Sequence, residues 1–347
     1  MGKSGILNNY LTKEERMLHR FGVISGVIVI AMLLITGCSG ERGLQGESGT
    51  AECIQCHNDN TTILAIDGQW RNSVHFTGGN FERNTPPCSG CHTNEGFVAR
   101  MNGEDPGTPE NPSPLSCFGC HEPHTNHNFF LRTTAPVDLQ TGGNFNYGSG
   151  NLCAQCHQAR TPDPLLVGSV SITSSRWGPH HGPQADILNG TGAYVFAGQS
   201  YRNSRHNTAV TNGCPQCHMA TPYGTQAGGH TMNMTYVSHG SEEELLAGCN
   251  IEDCHNGALD DFDYLGYQDS VATYLEELYT DLVNVGYVNS STGLINASSS
   301  NPLQLTEAQA GALYNYYLIE ADRSGGVHNS KYVVDALKAS IAALGAK

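Results

Sequence analysis

Charge and apolar bulk are both scarce in this sequence. Of 347 residues only 14% are charged and 38% hydrophobic, and tryptophan occurs twice, too little for the conventional oily core of a chain this long. Basic residues are scarcer still: 17 Lys and Arg stand against 32 Asp and Glu, a formal charge of -15, and no polybasic cluster is present. A general affinity for nucleic acid is thereby excluded, and an acidic surface of this kind meets cations or basic partners. Long apolar runs are missing apart from Phe21 to Thr36, which is too short for a comfortable membrane span. The abundant residues include 41 glycines, 15 tyrosines, 10 phenylalanines and 13 cysteines. Glycine points to a loop-rich chain, while the aromatics and cysteines argue against simple disorder. Something other than side chains is expected to fill the interior.

The run from Phe21 follows Arg16, His19 and Arg20 and ends in Ile35-Thr36-Gly37-Cys38, the layout of a secretory signal peptide. Its ending is similar to the bacterial lipobox, in which cleavage leaves the cysteine as a lipidated first residue. Residues 1–37 are therefore expected to be a lipoprotein signal peptide cleaved before Cys38, and Cys38 the lipidation site. Gly40, Gly43, Gly46 and Gly49 lie in a flexible tether over residues 38–52, whose triplets lack the proline of a collagen helix. The remainder is expected outside the cytoplasm, as an outer-membrane lipoprotein on the periplasmic or cell-surface face.

With Cys38 assigned to lipid, the other cysteines form a pattern. Five strict Cys-x-x-Cys-His strings comprise Cys53, Cys56 and His57; Cys88, Cys91 and His92; Cys117, Cys120 and His121; Cys153, Cys156 and His157; and Cys214, Cys217 and His218. Cys249 and Cys254, with His255, form a sixth string with four intervening residues. Each string suits the same chemistry, in which two thiols form thioethers with the vinyl groups of a haem and the next imidazole reaches the iron as proximal ligand. Zinc also uses Cys-x-x-Cys pairs, but nothing in its chemistry demands a histidine after every second cysteine. Disulfides across so short a loop are redox motifs rather than staples. Six covalent c-type haems are expected, about one per fifty residues of exported chain. The expected fold is mainly coil with short α-helices wrapped around a chain of six covalent haems, with few strands and a helical C-terminal segment.

Two axial positions per iron call for further histidines, and the sequence has sixteen in all. Beyond the six proximal residues and His19 of the leader, the candidates are His75, His124, His127, His180, His181, His206, His230, His239 and His328. Trp70-Arg71-Asn72-Ser73-Val74-His75 and Tyr201-Arg202-Asn203-Ser204-Arg205-His206 resemble each other, and Thr77-Gly78-Gly79-Asn80-Phe81 recurs as Thr141-Gly142-Gly143-Asn144-Phe145; these are remnants of an internal repeat. His124, three residues after His121, is expected to cap a neighbouring haem, with His127 as its substitute. Of the adjacent His180 and His181, one is expected to ligate. The predicted distal set is His75, His124, His180 or His181, His206, His230 and His328.

From Tyr264 the composition changes. Val271, Tyr274, Leu275, Leu278, Leu282 and Val285 recur at helical spacing, and Thr306-Glu307-Ala308-Gln309 is a capping-box pattern that opens a second helix carrying Leu313, Tyr316 and Tyr317. Gly325 and Gly326 are expected to end it. Val333, Leu337, Ile341 and Leu344 mark a last apolar face, and His328 between them is the tail's one chemical residue. Residues 53–256 are thus read as a multihaem domain and 257–347 as a helical segment packing on it.

These residues resemble the multihaem c-type cytochromes of dissimilatory metal-reducing bacteria, particularly their outer-membrane lipoproteins. The likeness rests on the six haem strings, Cys120-His121-Glu122-Pro123-His124, Trp177-Gly178-Pro179-His180-His181-Gly182, Gly228-Gly229-His230-Thr231-Met232 and Gly326-Val327-His328-Asn329. It implies an electron carrier rather than an enzyme, with no catalytic residue. Implied partners are other multihaem cytochromes or an outer-membrane porin–cytochrome complex, the membrane through a lipid anchor, and mineral or cationic metal acceptors. The tail is also similar to that of multihaem nitrite and hydroxylamine-oxidising relatives, which would imply one open iron. The chemistry of the residues also leaves a cytochrome filament, in which one subunit ligates a haem of the next, as a further alternative.

Overall fold

The computed structural model describes residues 61–126 and 128–345. The signal peptide, Cys38, the tether, and Cys53, Cys56 and His57 lie outside the described residues, as does His127.

Most of the described chain is turn and coil punctuated by short helices, with three two-stranded sheets. Longer helices form where the sequence allows. Helix α1 is Thr61–Arg71 and α2 is Asn94–Met101, the latter opened by Thr93, whose side chain accepts a hydrogen bond from the Gly96 N–H. This cap satisfies one of the amides that a helix start leaves without a partner. Helix α3, Gln184–Asn189, is almost wholly buried and ends at Gly190, whose φ of 71° suits a residue without a side chain. Strands β1 (Val137–Asp138) and β2 (Asn144–Phe145) pair across the Gly142-Gly143 turn, where both glycines have positive φ. Strand β3 (Ser169–Ile172) pairs antiparallel with the distant β6 (Leu303–Thr306), and β4 (Thr235–Ser238) with β5 (Ser241–Glu244) in a local hairpin.

The tail carries helices α4 (Tyr267–Asn284), α5 (Glu307–Asp322) and α6 (Ser330–Gly345). The capping box at α5 forms: Thr306 Oγ1 accepts from the Gln309 N–H at 3.3 Å, and Gln309 Oε1 accepts from the Thr306 N–H at 2.9 Å. Helix α5 stops at Asp322, ahead of the glycines, because Arg323 already turns left-handed at φ 59°. On α4 the face of Val271, Leu278 and Leu282 is buried. Val285 does not share it: the helix ends at Asn284, and Val285 is 39% exposed as the residue that follows.

The main apolar core lies here. Leu278, Leu282, Leu313, Leu318, Val333 and Leu337 are fully buried, together with Val170 and Ile172 of β3 and Trp177. Segment 166–177 therefore belongs to the same core as the tail helices, stapled by the β3–β6 pair. A smaller cluster holds Val137, Leu139, Phe145, Ala154, Ala185 and Leu188. The segment 61–136, by contrast, buries few apolar side chains, Phe97 among them. No described helix is long and apolar enough to cross a membrane.

Candidate functional site

Each of the four described strict strings folds as one helical turn, or begins in one. Ser89–His92, Cys117–Cys120, Gly150–Ala154 and Cys214–His218 are short helices. Helical winding places residues i and i+3 on one face and i+4 beside them, so both thiols and the imidazole point to the same side. The turn closes through a hydrogen bond from the histidine N–H to the first cysteine carbonyl, at 3.1 Å for His92, 2.8 Å for His121 and 2.9 Å for His157. The wide string achieves the same closure: His255 N–H reaches the Cys249 carbonyl at 3.0 Å, its two extra residues taken up in a turn that Asn256 completes at φ 49°. All ten described cysteines are free of disulfides.

Each of the five described motif histidines faces a second imidazole from a remote part of the chain. Ring centroids lie 6.0 Å apart for His157 and His75, 6.1 Å for His92 and His180, 6.3 Å for His121 and His230, 6.1 Å for His255 and His206, and 6.2 Å for His218 and His328. Two imidazoles on opposite sides of one metal, each bonded through nitrogen at about 2 Å, place their ring centres about 6 Å apart. The ring planes are near perpendicular in three pairs, at 75°, 78° and 85°, and only 36° and 42° apart in the His121–His230 and His218–His328 pairs. Among the described residues no group of three or more His, Cys, Asp or Glu is placed to share a metal ion.

Local sequence positions each remote histidine. His75 sits on the turn Val74–Thr77, capped by the buried Ser73. His180 adopts φ 68°, a conformation costing of order 1–3 kcal/mol for a residue with a side chain. It is held where Pro179 accepts a 2.8 Å hydrogen bond from the Arg160 N–H, next to the fourth motif. His230 follows Gly228 and Gly229, both at positive φ, and its N–H donates to Gln69 Oε1 at 3.0 Å. Ser204, two residues before His206, donates its N–H to Asn329 Oδ1 at 2.7 Å, so the Tyr201–His206 repeat is pinned directly beside His328.

The other ring nitrogens are anchored. Nδ1 of His121 contacts the Phe129 carbonyl at 2.7 Å, that of His206 the Val327 carbonyl at 2.6 Å, and that of His218 the Met232 carbonyl at 3.0 Å. His157 Nδ1 meets Gln184 Oε1 at 3.1 Å, and His328 Nδ1 meets Asp322 Oδ1 at 2.7 Å. An Nδ1–H bound to an oxygen leaves Nε2 with its lone pair free for a metal. Burial pushes His75 and His180 down to about 4, helped by His157 in the first case and Arg160 in the second, and His92, His157, His206, His218 and His230 are lowered mainly by burial as well. The shift favours the neutral ring, the form that ligates metal. His328 is the exception: burial pulls it down, but the Asp322 carboxylate outweighs that and raises it.

Of the predicted distal residues, His75, His180, His206, His230 and His328 stand opposite described motif histidines. His124 instead stacks on Phe118 at 5.5 Å, and the exposed His181 stands beside His180 at 5.6 Å. His239 is exposed in the β4–β5 turn at φ 50°. Sequence reading missed the Nδ1 acceptors, Gln184 and Asp322 above all, because nothing in their local context marks them as partners of a ring that only folding brings close.

The motifs also touch one another out of chain order. Side chains of Cys91 and Cys156, Cys153 and Cys214, and Cys217 and Cys249 interact directly. Backbones approach closely too: a side chain at Gly150 would meet the Gly213 Cα at 2.9 Å, and one at Gly248 would meet the Cys217 Cα at 2.9 Å. The second, fourth, fifth and sixth strings therefore lie in series, and Ser116, just before the third, binds Asn94 Oδ1, just after the second, at 3.0 Å.

No protein-family model matches the chain, and no curated protein matches it. Among solved structures the chain is similar to the crystal structure of the outer cell wall cytochrome OcwA, with a TM-score of 0.49 and 20% sequence identity. That likeness covers 80% of this chain and 49% of the other, so the chain spans about half the length of OcwA.

Proposed function

We propose that this protein carries single electrons outside the cytoplasm through six covalently attached, bis-histidine c-type haems. The observation that carries this reading is the set of five opposed imidazole pairs at 6.0–6.3 Å, each with one member in a Cys-x-x-Cys-His string or its wide variant. The donor set fits haem: two free thiols lie beside one member of each pair, and burial favours the neutral, metal-ligating form of His75, His92, His157, His180, His206, His218 and His230. When bound, haem iron supplies one-electron redox chemistry tuned by its axial ligands and surroundings.

The chain's own residues then do the positioning. Cys88 and Cys91, and their counterparts in the other strings, would hold the haem through thioether bonds. The paired histidines would hold the iron between them at those five centres, an arrangement suited to one-electron transfer with the same ligands in both redox states rather than to bond-making. Phe129, Met232 and Val327 carbonyls, Gln184 and Asp322 fix ring orientation. Side-chain contacts between the second and fourth, fourth and fifth, and fifth and sixth strings support transfer from one centre to the next. The acidic balance favours cationic or basic partners. With the Cys38 lipobox, it is consistent with a carrier anchored at the outer membrane that passes electrons to other cytochromes, a porin–cytochrome complex or metal oxides.

The test is an electron paramagnetic resonance spectrum of the oxidised protein, spin-counted against haem content from the pyridine haemochrome. Six low-spin haems are expected. Perpendicular imidazole planes leave two iron orbitals nearly degenerate and give strongly anisotropic signals, so the pairs at 75°, 78° and 85° are expected to contribute three such signals and the two tilted pairs rhombic ones. A haem-free protein would overturn the reading. A full equivalent of high-spin iron would favour a reductase with an open site.

A further inference from the structure

One arginine stands between two of these centres. Arg100, in the last turn of α2, donates from Nη1 to Cys91 Sγ at 3.3 Å and from Nη2 to Cys156 Sγ at 3.5 Å, so that one guanidinium bridges the second and fourth strings. Nη2 also donates to the Gln155 carbonyl at 3.0 Å, and the guanidinium carbon lies 5.3 Å from the centre of the buried Phe97 ring. The x residue Gly90 lets it in: a Cβ there would lie 3.3 Å from the Arg100 Cδ. Among the described residues no carboxylate forms an ion pair with Arg100, and its Nε is buried without a hydrogen-bond partner.

This is an unusual use of charge in a chain of net -15. Arg71, Arg132 and Arg202 all pair with carboxylates. Arg83 and Arg160, which form no such pair among the described residues, both act on the His92 and His180 imidazoles. Positive charge is therefore gathered at the second centre, while the fifth, His218 with His328, has the Asp322 carboxylate directly behind its ligand. A fixed cation beside an iron centre favours the reduced state, which carries one positive charge fewer, and a fixed anion favours the oxidised one.

We propose that Arg100 is a potential-setting residue shared by two haems, and that it makes the centres at Cys88–His92 and Cys153–His157 the high-potential end of the relay, where electrons collect. This rests on the haem reading above. The centre bound through His157 is also the junction, since its cysteines touch both Cys91 and Cys214 in neighbouring strings. Electrons entering near the fifth and sixth strings would run downhill to the second.

The experiment is a spectroelectrochemical titration of the full-length protein, its haem content first fixed by pyridine haemochrome, for the unaltered chain and for Arg100→Met, Arg100→Lys and Arg83→Gln. In Arg100→Met two one-electron components are expected to move to lower potential while the other four stay, and Arg100→Lys should restore most of the shift. Arg83, exposed and facing one centre, should move a single component in Arg83→Gln, a readout that survives if Arg100→Met fails to assemble. Full haem content with no component displaced, all components displaced together, or equal shifts in the methionine and lysine variants would each overturn the proposal. Absence of haem from the unaltered chain would sink the electron-carrier reading instead.

Discussion

Replacing Asp322 by asparagine removes one negative charge from behind His328 while keeping an oxygen for its Nδ1–H. Asp322 is 3% exposed, its Oδ1 lies 2.7 Å from His328 Nδ1, and its Oδ2 accepts from the Ser324 hydroxyl. The midpoint between the His218 and His328 rings, about 3 Å from each, is where an iron would stand, which puts the carboxylate about 6–7 Å away across the imidazole. At an effective dielectric of about 20, a unit charge at that distance is worth about 2.5 kcal/mol, or about 110 mV for one electron. Burial limits solvent screening, and the carboxylate favours the ferric state, so its loss should raise the potential. Asp322→Asn is therefore expected to move one component of the redox titration upward by about 100 mV, with haem content and the low-spin spectrum unchanged. A component that stays within experimental error, or one that falls, would refute the electrostatic argument.

Other consequences can be measured directly. His206→Ala should convert one low-spin haem to high-spin and leave the rest, as counted by electron paramagnetic resonance; an unchanged spectrum would mean that His206 does not ligate opposite His255. Leu337→Ala opens a cavity at a fully buried site of the tail core and should cost about 2–5 kcal/mol of stability, read from the denaturant midpoint. Gly311→Ala would drive a methyl into the Tyr194 ring, whose hydroxyl donates to Glu307 Oε1 at 3.0 Å. A loss of about 1–3 kcal/mol is expected, and a neutral result would show that the ring yields freely.

The strings and the capping box were legible because their physics is local. Thioether formation and axial ligation need two thiols and an imidazole on one helical turn, a condition met within five residues, and Thr306 with Gln309 closes its box within four. The ends of elements were less legible. Arg323 breaks α5 before Gly325 by taking the left-handed conformation itself, and Val285 falls outside α4 because the helix stops one residue earlier. Segment 166–177 carries no tail-like periodicity, yet it joins the tail core through β3 and β6, a pairing between positions far apart in sequence.

Residue identity alone thus determined which side chains can attach and bind a haem, since that chemistry is carried by each string independently of the rest of the chain. Only the tertiary structure decided which remote histidine faces which string, that His180 rather than His181 turns toward His92, that Asp322 stands behind His328, and that Arg100 bridges Cys91 and Cys156. Those choices are made by contacts between segments distant along the chain, such as Ser204 with Asn329 and Gln69 with His230. They exist only after the backbone has closed on itself.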